Sequence, residues 1–103
     1  MQQLLSAGAN VNEATNQGIT VLHAAASRCH VELVQALVKA GANVNQANNQ
    51  RKTALHFASY KGHVEVVQAL VTAGANVDQA NSKGGTALHD AAAKGHVEVV
   101  QVL

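Results

Sequence analysis

A step of 33 residues runs through the whole chain and constrains its fold more than any other property of the sequence. Thr20, Thr53 and Thr86 are related by it, as are His23, His56 and His89, and again His30, His63 and His96. Gly8, Gly41 and Gly74 precede Ala-Asn-Val in the same register, and Gln2, Gln35, Gln68 and Gln101 carry the series towards both ends. Residues 52–70 and 85–103 are identical at 14 of 19 positions. Such a chain repeats one supersecondary unit, and each unit buries its apolar face against its neighbours.

Each unit reads as two short helices and a loop. Thr20 is placed to cap a first helix from Val21 to about Arg28, with Leu22, Ala25 and Ala26 on one face at helical spacing. Gly62-His63 and Gly95-His96 mark the break after it, because glycine tolerates a left-handed helix end. The second helix runs from about Val31 to Ala40, and Leu33, Val34, Leu37 and Val38 form its apolar stripe. Glu32, Glu65 and Glu98 fall in its first turn, where the helix dipole favours an acid. The Asn- and Gln-rich segments Asn43–Lys52 and Asn76–Gly85 lack that periodicity and read as extended loops or hairpins.

The string T-A-L-H-x-A-x-x-K-G-H-V-E-V-V-Q-x-L, followed by V-x-A-G-A-N-V, resembles the ankyrin repeat over the whole of residues 1–103. The resemblance implies an all-α solenoid of stacked helix-turn-helix units with projecting β-hairpin or loop tips. It divides the chain into a half unit (1–18), two whole units (19–51 and 52–84) and a partial unit (85–103). Four departures stand out. The proline that usually follows the Thr is Val21, Ala54 or Ala87, and the Asp that usually opens the loop is Thr15, Asn48 or Asn81. Cys29 replaces the glycine of Gly62 and Gly95, and Arg51 that of Gly18 and Gly84. If those backbones are left-handed, each costs roughly 1 kcal/mol, and the first whole unit should show slightly distorted turns.

Both ends read as unfinished. Met1 aligns with Val34 and Val67, and Leu103 with Leu37 and Leu70, so the array reads as a piece of a longer one. On that reading Leu4, Leu5, Val99, Val100 and Leu103 lack neighbours, which predicts marginal stability or end-to-end self-association.

Composition excludes several functions. Of 103 residues 20 are Ala and 15 are Val, while Phe57 and Tyr60 are the only aromatics. Seven basic against six acidic residues leave a net charge of +1, which argues against bulk electrostatic binding to nucleic acid or an acidic membrane. No apolar stretch is long enough to span a bilayer, and Gln2-Gln3 after Met1 does not begin a signal peptide. The single cysteine, Cys29, excludes an intrachain disulfide and fits a reducing compartment, cytoplasmic or nuclear.

Six histidines raise the question of a metal. His23 and His30 are seven apart, and histidines equivalent by repeat lie about one helix spacing apart, roughly 8–10 Å, too far to share an ion. They read instead as structural, hydrogen-bonding the helix start and the neighbouring loop. Cys29 beside His30 lacks a third orienting group, and no phosphate loop or paired carboxylate appears. The reading is of a chain with no catalytic residue, metal or cofactor.

What distinguishes the units is where they differ. Those positions are Asn16, Gln17 and Ile19, then Asn49, Gln50, Arg51 and Lys52, then Ser82, Lys83 and Gly85 in the loops. On the first helices they include Ser27 and Arg28, then Phe57, Tyr60 and Lys61, then Asp90 and Lys94. The resemblance implies that loop tips and first helices form a concave face that binds a protein partner. Arg28, Arg51, Lys52, Lys61, Lys83 and Lys94 against Asp90 would favour an acidic one, unless these are merely solvated charges. The expected function is that of a non-enzymatic interaction scaffold, or else a regulatory or targeting piece of a larger enzyme or channel. Nucleic-acid binding is the third reading, disfavoured by the scarcity of aromatics.

Overall fold

The structure, a computed structural model, describes residues 10–103. The alignments of Met1, Gln2, Leu4, Leu5 and Gly8 with later units therefore lie outside the described residues. Six helices follow: α1 (Val21–Ser27), α2 (Val31–Lys39), α3 (Ala54–Lys61), α4 (Val64–Thr72), α5 (Ala87–Ala93) and α6 (Val97–Val102). They pair as α1–α2, α3–α4 and α5–α6, with α1, α3 and α5 stacked in one layer and α2, α4 and α6 in another.

The core is built from small side chains, as the composition requires. Leu22, Ala25 and Ala26 from α1 and Val34 and Leu37 from α2 are buried, and the same positions recur as Leu55, Ala58, Val67 and Leu70. Each fully buried Leu or Val contributes about 1.5–3 kcal/mol. Alanines on the first helices let those helices approach closely enough for one unit to cover the next. Leu88 occupies the position of Leu22 and Leu55 but is 45% exposed, and Val97 is 65% exposed.

The helix starts are boxes of Thr and His. Thr20 Oγ1 accepts the His23 N–H at 3.3 Å, while the Thr20 N–H donates to His23 Nδ1 at 2.9 Å. Thr53 and Thr86 donate their N–H groups to Nδ1 of His56 and His89 at 2.9 and 3.0 Å. This is a capping box with imidazole where Glu or Gln commonly stands. Missing proline at the first helical position is thus offset by two-way capping.

Cys29 and Arg51 are left-handed, at φ 61° and 62°. The Cys29 turn nevertheless keeps the closing bonds of its glycine counterparts: Cys29 N–H to Ala26 and His30 N–H to Ala25, at 3.3 and 3.0 Å. The equivalents at Gly62 and His63 measure 3.2 and 3.0 Å. The strain expected from the sequence is therefore carried without opening the turn.

The loop tips are turns; no paired strands occur among the described residues. Each tip is closed by two backbone bonds: Thr15, Asn48 and Asn81 donate their N–H groups to the carbonyls of Ile19, Lys52 and Gly85 at 3.0, 2.8 and 2.8 Å, and their own carbonyls accept from Gly18, Arg51 and Gly84 at 2.8, 2.8 and 3.0 Å. Side chains take the remaining donors. Asn48 Oδ1 accepts the N–H groups of Gln50 and Lys52 at 2.9 Å each, and Asn81 Oδ1 does the same for Lys83 and Gly85. Thr15 Oγ1 serves Gln17 and Ile19 at 3.2 Å. An uncharged oxygen thus does the work of the aspartate usual at this position.

Candidate protein-binding face

The tips stack upon one another in register. Asn49 donates its backbone N–H to the Gln17 carbonyl at 3.0 Å and its side-chain Nδ2–H to the Asn16 carbonyl at 2.9 Å. Ser82 N–H donates to the Gln50 carbonyl at 2.9 Å. Asn16, Gln17, Asn49, Gln50, Arg51, Ser82 and Lys83 are exposed along this row, with Ile19 and Lys52 half-buried beside it.

Histidines tie neighbouring units together in both directions. His23 Nε2 donates to the Lys52 carbonyl and His56 Nε2 to the Gly85 carbonyl, each at 3.2 Å and each in the following unit. His63 and His96 reach back to the carbonyls of Ser27 and Tyr60 at 3.1 and 2.9 Å. Burial lowers the pKa of His23 from the usual 6.5, partly opposed by backbone hydrogen bonds with Gln46 and Lys52. Among the described residues no three His, Cys, Asp or Glu side chains gather as metal ligands. Cys29 and His30 are both exposed.

The two aromatics part company. Phe57 is half-buried, its ring edge-on to His23 of the preceding unit with centroids 5.7 Å apart at 86°. That contact makes it a packing residue between units. Tyr60 is 48% exposed, and Lys94 Nζ of the next unit lies 4.8 Å above its ring. The sequence did not show this cation–π pair, because residues 34 apart meet only once the first helices stack. Ser27 is half-buried at the Tyr60 position of the first unit; Asp90 is half-buried at the Phe57 position of the third.

Charge is divided between the layers. Arg28, Arg51, Lys52, Lys61, Lys83 and Lys94 lie on the loop tips and first helices, leaving Lys39 as the only one of seven cations on a second helix. Glu32, Glu65 and Glu98 open the second helices. A groove of about 1120 Å³ between α2 and α4 is lined by Glu32, Gln35, Ala36, Glu65, Gln68 and Ala69. It belongs to the second-helix layer and is lined by none of the loop-tip or first-helix residues named above.

Stacked two-helix units, Thr–His boxes and loop tips in register define a helical repeat solenoid. A family model described as ankyrin repeats (3 copies) matches residues 1–81 and 41–103, and the chain belongs to the ankyrin repeat family. Ankyrin repeats are generally protein–protein interaction modules. No curated relative matches the chain. No helix among the described residues is long and apolar enough to cross a membrane.

Proposed function

We propose that this chain is a non-enzymatic recognition module that holds an acidic protein through its loop tips and first helices. The observation that carries the reading is Tyr60, an exposed ring on the middle first helix with Lys94 over it and Lys61 beside it in sequence. Its counterparts Ser27 and Ala93 are small, so stacking does not require a ring there. Aromatic residues near the centre of an interface commonly supply about 2 kcal/mol or more on truncation. The row of cations would speed association with an acidic partner. Rigid stacking supports the reading, since a surface ordered in advance loses little entropy on binding.

The test is capture on the immobilised chain followed by binding kinetics. Tyr60→Ala should raise the dissociation rate, and Arg51→Glu with Lys52→Glu should slow association most at low salt. Capture that is unchanged by all three substitutions would overturn the reading.

Self-association is a second reading, favoured by the exposure of Leu88 and Val97 where earlier units bury the same positions or half-bury them. Sedimentation of the 103-residue chain over a range of concentrations tests it. A constant monomer mass would refute it.

A further inference from the structure

Arg28, Lys61 and Lys94 stand at the ends of α1, α3 and α5, and Glu32, Glu65 and Glu98 in the first turns of α2, α4 and α6. The 33-residue step relates the members of each set, so the cations form one row and the acids another with the same pitch. All are exposed. Only Cys29, His30 and Val31, or their equivalents, separate a cation from the acid of its own unit. Both rows therefore lie on one edge of the solenoid, where first helices turn into second helices, at the far end of the first helices from the loop tips.

The rows are held rigidly. His63 and His96 donate Nε2–H to the carbonyls of Ser27 and Tyr60 at 3.1 and 2.9 Å, each one residue before a cation of the row. The turn of one unit is thereby pinned to the first helix of the unit before it, and the pitch needs no ordering on association. Neither row neutralises the other: no ion pair forms among the described residues, and Lys94 Nζ lies instead 4.8 Å from the centre of the Tyr60 ring. Beside the rows, a hollow of about 570 Å³ opens at the first turn, lined by Cys29, His30, Val31, Glu32 and Leu33. A long cationic side chain entering it would meet the Glu32 carboxylate.

Two parallel rows of opposite sign and equal pitch are their own complement. A two-fold axis along the stacking direction, between the rows, lays the cations of one copy on the acids of another. Arg28 then meets Glu32 of the second copy, Lys61 meets its Glu65 and Lys94 its Glu98, and each pair occurs twice. A two-fold axis across the stack would lay like charge on like, which is costly. The charges thus select one arrangement, in which every unit faces its own equivalent and the contact closes at a dimer. Cys29, between the two rows, then lies beside the axis and faces Cys29 of the second copy.

We propose that this turn edge is a dimerisation surface whose occupant is a second copy of the chain, held by the Arg28–Glu32, Lys61–Glu65 and Lys94–Glu98 pairs between copies. Exposed pairs are individually weak and screened by salt, so the dimer is a weak one that forms at low ionic strength. The proposal goes beyond recognition of an acidic partner and does not rest on it, since the loop tips stay open. It also differs from association through Leu88 and Val97 at the end of the stack, which would be apolar and would not close at a dimer.

The experiment is sedimentation equilibrium of the whole chain at up to about 1 mM, where weak complexes are populated, in about 20 mM and about 500 mM salt. Mass should rise towards a dimer at low salt and stop there, and the dissociation constant should increase by about tenfold or more at high salt. A short bismaleimide should join two copies through Cys29 at low salt only. Glu32→Lys with Glu65→Lys, and separately Arg28→Glu with Lys61→Glu, should each be monomeric. An equimolar mixture of the two variants should dimerise again, because their reversed rows match, a recovery that misfolded variants cannot give. Arg51→Glu with Lys52→Glu, the test of the loop tips, should leave the dimer unchanged. Monomer throughout at low salt, association that salt does not weaken, growth beyond a dimer, or a dimer that Cys29 does not join would overturn the proposal, and the wild-type chain alone decides each of these.

Discussion

A Cβ on Gly62 would stand 2.6 Å from Nδ1 of His96, so the imidazole of the third unit fills the space that a side chain at this turn would need. The same ring donates to the Tyr60 carbonyl at 2.9 Å. Gly95 has the equivalent left-handed backbone, φ 72°, and nothing within 4 Å of its would-be Cβ. The two glycines therefore separate backbone strain from crowding.

Gly95→Ala should cost about 1 kcal/mol, the left-handed penalty alone. Gly62→Ala should cost roughly 1 kcal/mol more, because His96 must shift and its hydrogen bond weakens. Cys29→Gly removes a standing strain and should gain about 1 kcal/mol. Urea unfolding of the three variants decides it, and equal losses at Gly62 and Gly95 would show that His96 imposes no constraint.

Ser59 offers a gain of another kind. Its side chain is fully buried and Oγ has no hydrogen-bond partner, whereas the equivalent positions are Ala26 and Ala92. Removing an unsatisfied buried hydroxyl should stabilise the chain by about 1 kcal/mol. For a domain of this size Ser59→Ala should then raise Tm by roughly 4–8 °C. A lower Tm would mean that Oγ has a partner in solution.

The repeat made the helices legible to within a residue or so, since Val21–Ser27 and Val31–Lys39 lie within the spans expected from capping and periodicity. The polar tips were less so. Thr15, Asn48 and Asn81 looked like departures from the family pattern, yet each accepts two backbone N–H groups, which needs an oxygen and not a charge. The candidate face was legible as a set of variable positions, but the roles within it were not. Phe57 and Tyr60 look alike at three residues' separation; only the stacking distance between first helices assigns one to His23 and the other to solvent and Lys94.

Asn48 tests the chemistry of the tip. Asn48→Ala removes the acceptor for both Gln50 and Lys52 and should cost about 1–2 kcal/mol, with the loss of exchange protection concentrated at residues 50–52. Asn48→Asp keeps the acceptor and should fall within about 0.5 kcal/mol of the parent. If both variants behave alike, the side-chain bonds do not hold the tip.

The two aromatics give the sharpest division between scaffold and face. Phe57→Ala deletes a half-buried ring that meets His23 edge-on, and should cost about 2–3 kcal/mol of folding stability. Tyr60→Ala gives up only an exposed ring and its contact with Lys94, so it should cost at most about 1 kcal/mol. In binding the order should reverse. Tyr60→Ala should weaken the complex by about 2 kcal/mol through faster dissociation, while Phe57→Ala, measured where it remains folded, should weaken it less. Lys94→Met separates the ring from its cation: affinity should fall by less than for Tyr60→Ala, because the ring remains to fill the partner. Should Tyr60→Ala leave the dissociation rate unchanged, the ring is an incidental surface group and the face must draw its affinity from the loop row.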